Sequence, residues 1–249
     1  MTTEDKVVDV SQDWLQACSV QEHFMRGPTL NNCWVNLSAS CRQMRALGGD
    51  CYNFAFLEDG QIAMLVGDAS GKGVAAALVM ASVQASVRTA AQFTGDNLAG
   101  LFRAVNVQTC ASSLADRYAT LFYGVMNRAA LTLRYVNAGH NPPVVVHPDG
   151  SVDWLEPTGA PVGLFPNATW REEVIHLHPG DLVLAYTDGV IETSSPSGQE
   201  WEIEGLLQVT EACRTQSADE IVRAILDSMD AFSGGVQTDD ATVTVIRVI

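Results

Sequence analysis

Lysine is almost absent from this sequence. Only Lys6 and Lys72 are lysines among 249 residues, and the formal net charge is −15 at pH 7. Proteins that bind nucleic acid non-specifically, or that adhere to anionic membranes, need a positive surface to attract phosphate groups. Because a chain this acidic would be repelled by both, the composition predicts neither nucleic acid nor a membrane as a partner.

Long apolar runs and a leader sequence are also lacking. No apolar stretch reaches the roughly 18 residues that a membrane-spanning helix needs. The first residues, Met-Thr-Thr-Glu-Asp-Lys, do not show the basic-then-apolar pattern of a signal peptide. These features predict a soluble protein of the cytoplasm.

Cysteine occurs without any pairing pattern. The cysteines are scattered, with no close pairs and no zinc-finger spacing. Thiols of this kind are typical of small, mostly buried side chains in a reducing compartment, so we predict that they stay reduced. They are Cys18, Cys33, Cys41, Cys51, Cys110 and Cys213.

The length fits one large domain or two small ones, and a hydrophobic fraction of 47% is ample for a sizeable core. We favour a single domain over residues 31–249, preceded by an N-terminal segment, residues 1–30. Within that segment, apolar residues at helical spacing predict a short amphipathic helix over 11–25. The helix has two interpretations: a linker that contacts a partner or a second copy of the chain, or a helix that packs on its own domain.

A β-hairpin is predicted near the start of the domain. Two apolar runs, 51–57 and 61–67, flank a Glu-Asp-Gly loop with glycine in the left-handed position. This register places Asp50 opposite Asp68, roughly 5 Å apart, on the face that carries the large apolar side chains of both strands. Two carboxylates at the rim of a core repel each other and lose hydration. They therefore require a proton, a cationic partner or a metal ion.

The helix predicted directly after this hairpin, over residues 71–93, has the clearest pattern in the chain. Its apolar residues recur at helical spacing and form a stripe of the kind that packs on a core. Many of them are alanines, which let a neighbouring element approach closely. The stripe consists of Val74, Leu78, Ala81 and Ala85, widened by Val79, Val83 and Val87.

The remaining chain alternates between groups of strands and groups of helices. Because strands come as hairpins and helices as pairs, the pattern predicts an α+β fold with antiparallel sheets. Strands are expected at 34–42, 118–126, 131–137, 144–147, 152–155, 182–188 and 243–249, and further helices at 97–114, 203–213 and 217–232.

Aspartates mark the ends of four apolar strands. Asp68 and Asp188 each end one, whereas Asp50 and the pair Asp239-Asp240 each begin one. If these strands adjoin in antiparallel fashion, all four positions converge on one rim. Carboxylates without histidine or cysteine favour a hard ion, Mg2+ or Mn2+. Two such ions can activate a water between them and clamp the attacking and leaving oxygens, so the cluster predicts phosphate-ester hydrolysis.

Plainer interpretations exist for each motif alone. Gly-Asp and Asp-Gly dipeptides usually form turns, so a single one of them would not predict a metal site. The prediction depends on four such positions at strand ends, of which only one has a basic residue, Lys72, nearby in the sequence. A nucleotide-binding P-loop needs four residues between its first glycine and Gly-Lys, followed by Ser or Thr. Residues 67–73 offer three, followed by Gly73, so this alternative is weak.

Five short motifs stand in order between residues 48 and 242: Gly48-Gly49-Asp50, Gly67-Asp68-Ala-Ser-Gly71-Lys72-Gly73, Asn137-Ala-Gly-His140-Asn-Pro-Pro, Thr187-Asp188-Gly189-Val190 and Asp239-Asp240-Ala-Thr242. Together they resemble the PPM family of metal-dependent serine/threonine protein phosphatases, in its bacterial SpoIIE-like branch. The resemblance covers nearly the whole chain after the N-terminal helix.

The resemblance implies an αββα sandwich, in which two antiparallel sheets are flanked by helices, with two Mn2+ or Mg2+ ions at one edge. It implies hydrolysis by attack of a metal-bridging water, with Asp68 and Asp188 as catalytic residues. Asp240, the second of its pair, is expected to support the ligands. The implied metal-site positions are Asp50, Asp68, the carbonyl of Ala69, Asp188 and Asp239, together with Asp240.

By the same resemblance, the substrate is phosphoserine or phosphothreonine on a bacterial regulatory protein, commonly of the anti-anti-sigma type. The N-terminal helix resembles the family's switch and dimerisation linker, so a homodimer through it is expected. Two alternatives stay open: a weakly active or inactive phosphatase-like module that binds a regulatory partner, and an enzyme for small phosphoesters or nucleotides.

Four further positions carry expectations. Asn53, where the family usually has aspartate, is placed by the hairpin register on the face opposite Asp50, so no metal ligand is lost. Ser70 stands where eukaryotic relatives carry a histidine, which leaves the general acid unassigned. We expect His140 to be structural. Lys72 either steadies a phosphate or neutralises the acidic rim, and we favour the second.

Overall fold

A computed structural model describes residues 10–25, 30–31, 34–57, 60–112 and 116–249. The structure consists of two antiparallel β-sheets packed face to face, with helices on both outer faces. The αββα sandwich is therefore confirmed. The helices are α1 (Val10–Phe24), α2 (Val74–Thr94), α3 (Leu98–Ser112), α4 (Asp188–Ile191), α5 (Glu202–Cys213) and α6 (Ala218–Ser233).

The strands fall into two sheets, in which every recorded pair of neighbouring strands is antiparallel. Sheet I has the order β1-β2-β11-β10-β7-β8, and sheet II has the order β3-β4-β5-β6-β9. The strands are β1 (Leu30–Asn31), β2 (Val35–Arg42), β3 (Cys51–Phe56), β4 (Ile62–Ala69), β5 (Ala119–Asn127), β6 (Thr132–Ala138), β7 (Val144–Val146), β8 (Val152–Trp154), β9 (Glu173–His176), β10 (Leu182–Tyr186) and β11 (Ala241–Val248).

Three apolar layers hold the sandwich together. The central layer lies between the sheets and includes Leu37, Met64 and Phe122. A second layer joins sheet II to α2 and α3, and a third joins sheet I to α5 and α6. Because both sheets are covered on both faces, β10 is apolar and buried along its whole length, without the alternation of a strand that is exposed on one face.

The predicted hairpin has the expected register. Cys51 pairs with Gly67, and the Leu57 amide donates to the carbonyl of Gln61 at 2.9 Å. Gly60 has a φ of +73°, in the left-handed region that the loop requires. The two acidic loop residues, 58 and 59, lie outside the described residues.

The face of α2 that meets the core differs from the predicted one. Leu78 is 68% exposed and Val74 is exposed as well, whereas Met80 and Val83 are buried against sheet II and α3. The main line of the predicted stripe is therefore wrong as a core face, whereas the widening positions Val83 and Val87 are buried as predicted. Apolar residues surround most of this helix, so periodicity alone does not select the side that packs.

Two smaller differences concern strands. β9 was not predicted, because its residues are largely exposed and carry no apolar alternation. The strand predicted to end in Asp188 stops at Tyr186, and Asp188 instead begins the single turn of α4.

Within the described part of the chain, α2 is the one helix long and apolar enough to cross a membrane. One side of it, including Met80 and Val83, is buried against the sheet, as in the core helix of a soluble domain. The five described cysteines are free thiols, and Cys33 lies outside the described residues.

α1 packs against the domain that follows it. The Gln21 side chain forms two hydrogen bonds with the backbone of Gly48: its amide donates to the carbonyl at 2.7 Å and its oxygen accepts from the N–H at 3.2 Å. Asn53 donates to the carbonyl of Phe24 at 3.3 Å. These contacts favour the interpretation in which the helix packs on its own domain. Residues 26–29, which follow the helix in the sequence and include a Gly-Pro pair, lie outside the described residues.

Candidate metal centre

Asp50 and Asp68 come from adjacent strands of sheet II. Asp50 directly precedes β3 and Asp68 is the penultimate residue of β4, so the hairpin register brings them opposite each other. Burial, followed by the charge of Asp68, raises the pKa of the Asp50 carboxyl well above its usual range. A raised pKa is expected for a carboxyl group that lies close to a like charge and is shielded from water.

Asp50 is held by two hydroxyl groups. The side chains of Thr187 and Thr242 both donate to its Oδ2, each at 2.7 Å. Its other oxygen, Oδ1, is buried and accepts no hydrogen bond within the described structure. A buried carboxylate oxygen without a donor is costly, and a bound cation would satisfy it.

Asp188 and Asp239 come from adjacent strands of sheet I. Asp188 follows β10, and its Oδ1 accepts from the Gly189 amide at 2.8 Å. Asp239 precedes β11, and its Oδ2 pairs with the Lys72 ammonium at 2.6 Å. Burial, followed by the charge of Asp239, raises the pKa of Asp188.

The two pairs of aspartates meet across the sandwich. Burial raises the pKa of Asp68 to about 7, and the next largest causes are the charges of Asp188 and Asp239 from the opposite sheet. The four positions thus converge, but not on the rim of one sheet as the strand ends alone suggested. Each sheet supplies one pair, because the face-to-face packing of the sheets brings the β3–β4 hairpin of sheet II beside the end of β10 and the start of β11 in sheet I.

Gly49 leaves room beside the oxygens predicted to bind metal. A methyl group at this position would lie 2.8 Å from the carbonyl oxygen of Ala69 and 2.9 Å from Oδ1 of Asp68. The glycine therefore keeps open a space that these two oxygens face. Together with the unpartnered oxygen of Asp50, this space fits a divalent ion bound by oxygen ligands.

Asp240 supports the loop that carries Gly49. Its Oδ1 accepts from the Met44 amide and its Oδ2 from the Gly49 amide, both at 2.8 Å. Both oxygens of the Asp240 carboxylate therefore hold backbone amides of this loop.

The basic residues near the site have structural contacts. Lys72 forms the single ion pair recorded between this group of aspartates and a basic residue in the described part of the chain, in line with the neutralising interpretation. The ring of His140 is buried, with Nδ1 2.9 Å from the hydroxyl of Thr120, and burial lowers its pKa to about 4. It is therefore neutral at physiological pH, as a structural histidine would be.

The sequence reasoning missed the hydroxyl anchors. Thr187 directly precedes Asp188, and Thr242 is two residues after Asp240. Both belong to the family motifs, but their hydroxyl groups were not predicted to take part in the site. Their signal was a hydroxyl residue beside an aspartate at a strand end. That signal is weak, because strands favour threonine for packing alone.

Comparison with known proteins gives a consistent family. A family model described as stage II sporulation protein E (SpoIIE) matches residues 58–249. The chain is 28% identical to protein IcfG of Synechocystis sp. over 261 residues, which cover 91% of this chain and 40% of IcfG. It is 25% identical over 232 residues to the phosphoserine phosphatase RsbU of Bacillus subtilis, which cover 93% of this chain and 68% of RsbU. The chain thus spans less than half the length of IcfG.

Solved structures share the fold. The SiaA-PP2C domain of Pseudomonas aeruginosa superposes with a TM-score of 0.81 at 18% identity, over 96% of each chain. The catalytic domain of the serine/threonine phosphatase PstP, solved in complex with two manganese ions, has a TM-score of 0.65 at 16% identity and covers 87% of this chain and 99% of its own. Since the family model covers most of the sequence, the chain belongs to the SpoIIE family of PPM-type phosphatases.

Proposed function

We propose that this chain is a Mn2+- or Mg2+-dependent protein phosphatase that hydrolyses phosphoserine or phosphothreonine on a bacterial regulatory protein. The observation that carries the proposal is the gathering of Asp50, Asp68, Asp188 and Asp239 from two sheets into one acidic group, in which Asp50 is buried with one unpartnered oxygen and the others are half-buried. Membership of a phosphatase family and the similarity to RsbU support it.

In this proposal, two ions would be held by five groups. When bound, they would supply Lewis-acid stabilisation of phosphoryl oxygens and an acidified water at neutral pH. The proposed ligands are the side chains of Asp50, Asp68, Asp188 and Asp239 and the carbonyl oxygen of Ala69.

The chain's own residues prepare this site. Thr187 and Thr242 would fix the orientation of Asp50 through Oδ2, which leaves Oδ1 without a donor. Asp240 fixes the loop in which Gly49 leaves space for the ligands. Lys72 lowers the net negative charge through its contact with Asp239 and is proposed to be dispensable for the chemistry. Asp68 and Asp188, one from each sheet, are the proposed catalytic residues.

The partner and the N-terminal segment complete the proposal. The substrate is proposed to be a phosphorylated regulator of the anti-anti-sigma type in a cytoplasmic signalling pathway. Residues 1–30 would form a linker segment and residues 31–249 the phosphatase domain. Through α1, which contacts the loop before Asp50, the linker would also support a homodimer.

The test is release of phosphate from p-nitrophenyl phosphate and from a phosphoserine peptide, with Mn2+ or with a chelator. We expect activity with Mn2+ only, and its loss in Asp68→Asn and Asp188→Asn. Lys72→Ala should retain activity, as should the control Asp227→Asn, which removes an exposed carboxylate on α6. If Mn2+ binds but no phosphopeptide is hydrolysed, the chain is instead an inactive module that binds a regulatory partner. Turnover of p-nitrophenyl phosphate alone would favour small phosphoesters.

A further inference from the structure

A second cluster of metal-binding side chains lies at the opposite end of sheet I. Asp181 directly precedes β10, whereas Asp188 follows the same strand. At about 3.3 Å per residue along a strand, the two positions are roughly 20 Å apart. The cluster contains Asp181 together with His147, which follows β7, and His178, which stands in the turn before β10. It is therefore separate from the candidate metal centre.

The Asp181 carboxylate has no access to solvent and is bound on both oxygens. Its Oδ2 accepts from the His178 amide at 2.7 Å, and its Oδ1 lies 2.9 Å from Nδ1 of His147. A buried carboxylate needs a compensating charge. Within the described residues, the recorded ion-pair partners of Asp181 are the imidazole rings of His147 and His178 rather than a lysine or an arginine.

A second carboxylate fixes the orientation of the His147 ring. Oδ2 of Asp153 lies 3.1 Å from Nε2 of His147, while Nδ1 faces Asp181. A neutral imidazole carries one N–H, so it can donate to only one of these two carboxylates. Its other nitrogen then faces a carboxylate oxygen with no proton between them. Either a second proton or a metal ion must occupy that position, and a carboxylate behind a histidine is the usual support for a metal-ligating imidazole.

The ligand atoms have suitable spacing. One nitrogen from each histidine and a carboxylate oxygen of Asp181 all lie within 4.8 Å of one another. Nδ1 of His147 lies 2.9 Å from Oδ1 of Asp181, and Nδ1 of His178 lies 3.6 Å from its Oδ2. Tetrahedral Zn2+ with bonds of about 2.0–2.1 Å separates its ligands by roughly 3.4 Å, so small ring movements suffice. The His178 side chain is 69% exposed, which leaves a side open for water as a fourth ligand.

We propose that His147, His178 and Asp181 bind Zn2+ or a similar transition-metal ion, with Asp153 as the residue that positions His147. Two imidazoles and one carboxylate favour Zn2+, Co2+ or Ni2+ over Mg2+ and Mn2+, in contrast to the all-oxygen centre at the other end of β10. The bound ion would join the end of β7 to the turn before β10. Its role is to secure this end of sheet I, and it takes no part in phosphate chemistry.

The test is Co2+ titration of the full chain carrying Asp68→Asn and Asp188→Asn, which weaken the other centre. We expect the visible absorption of four-coordinate Co2+ at one equivalent, displaced by Zn2+ and not by Mg2+. His178→Gln, at an exposed position that tolerates substitution, should abolish it. The matched control His176→Gln, two residues earlier and also exposed, should leave it unchanged. Asp153→Asn should weaken binding about 10- to 100-fold.

Stability provides a second readout. Zn2+ should raise the melting temperature of the same double variant, and His178→Gln should remove that rise, because an ion that binds only the folded state stabilises it. Absence of Co2+ absorption, or an equal signal in His178→Gln, would overturn the proposal and leave a protonated His147 between two carboxylates. Since the readouts do not use phosphatase activity, failure here is independent of the proposed function.

Discussion

Two threonine hydroxyls bind one oxygen of Asp50 and leave the other without a donor. Both Thr187 and Thr242 donate to Oδ2, and the Thr187 hydroxyl accepts in turn from the Thr242 amide at 2.9 Å. The chain of bonds therefore ties both β10 and β11 of sheet I to the start of β3 in sheet II. Oδ1, in contrast, is buried and accepts no hydrogen bond within the described structure.

Removal of one anchor should weaken metal binding. Thr242→Val keeps the shape of the side chain but removes its hydrogen bond, so Asp50 loses orientation and its charged form loses support. Second-sphere changes of this kind typically reduce metal affinity about 10- to 100-fold. Mn2+ titration by calorimetry measures the effect.

Thr244→Val is the matched control for this measurement. Thr244 is also buried and lies two residues further along β11, but its hydroxyl donates to the Ala185 carbonyl at 3.2 Å and not to a carboxylate. Equal losses of Mn2+ affinity in the two variants would show that the hydroxyl bond to Asp50 has no special role.

At the scale of secondary-structure elements, features set by local sequence could be predicted, whereas features set by long-range packing could not. The β3–β4 register could be predicted, because a short loop with a left-handed glycine fixes which residues face each other. The core face of α2 could not, because apolar residues lie on several of its sides. β9 could not either, since its exposed residues lack alternation.

The candidate site, too, could be predicted only in its local features. Its aspartates could be predicted from motifs at strand ends, but not their division between two sheets, since that depends on pairings such as Val35 with Val248, far apart in sequence. The cluster around Asp181 was missed for a similar reason: its two histidines are far apart along the chain, and only the pairing of β7 with β10 within sheet I brings them together.

A pair of substitutions in α2 tests the observed packing. Met80 is 1% exposed in the layer between α2 and sheet II, so Met80→Ala should cost about 2–5 kcal/mol of unfolding free energy. Leu78→Ala removes a side chain that is 68% exposed, and its effect should stay within about 0.5 kcal/mol. Denaturant unfolding measures both changes. A larger loss for Leu78→Ala would restore the face predicted from periodicity.

At the scale of the whole molecule, the acidic group opposes the folding of the metal-free protein. Burial and the facing carboxylates raise the pKa of Asp68 to about 7, compared with roughly 4 in an unfolded chain. The folded state therefore holds more protons than the unfolded state between these values. Its stability must increase as the pH falls from above 7 towards 4. The raised pKa values of Asp50 and Asp188 act in the same direction.

This argument predicts opposite pH trends without and with metal. In a chelator, the melting temperature should rise as the pH falls from about 8 to about 5, because Asp68 alone opposes folding by about 2–4 kcal/mol at the higher pH. With excess Mn2+ the trend should reverse, because ions compete with protons for the same oxygens and cross-link the two sheets. Scanning calorimetry at several pH values measures both trends.

Asp68→Asn separates this electrostatic cost from a general effect of acid on the protein. The neutral side chain should raise the melting temperature of the metal-free protein at about pH 8 by several degrees and flatten its dependence on pH. It should also remove most of the stabilisation by Mn2+. The same substitution would therefore raise the melting temperature of the metal-free protein and lower that of the metal-loaded protein. Asp227→Asn, an exposed change on α6, should do neither. A metal-free protein that becomes more stable as the pH rises through 7 would mean that the carboxylates do not repel one another across the sandwich.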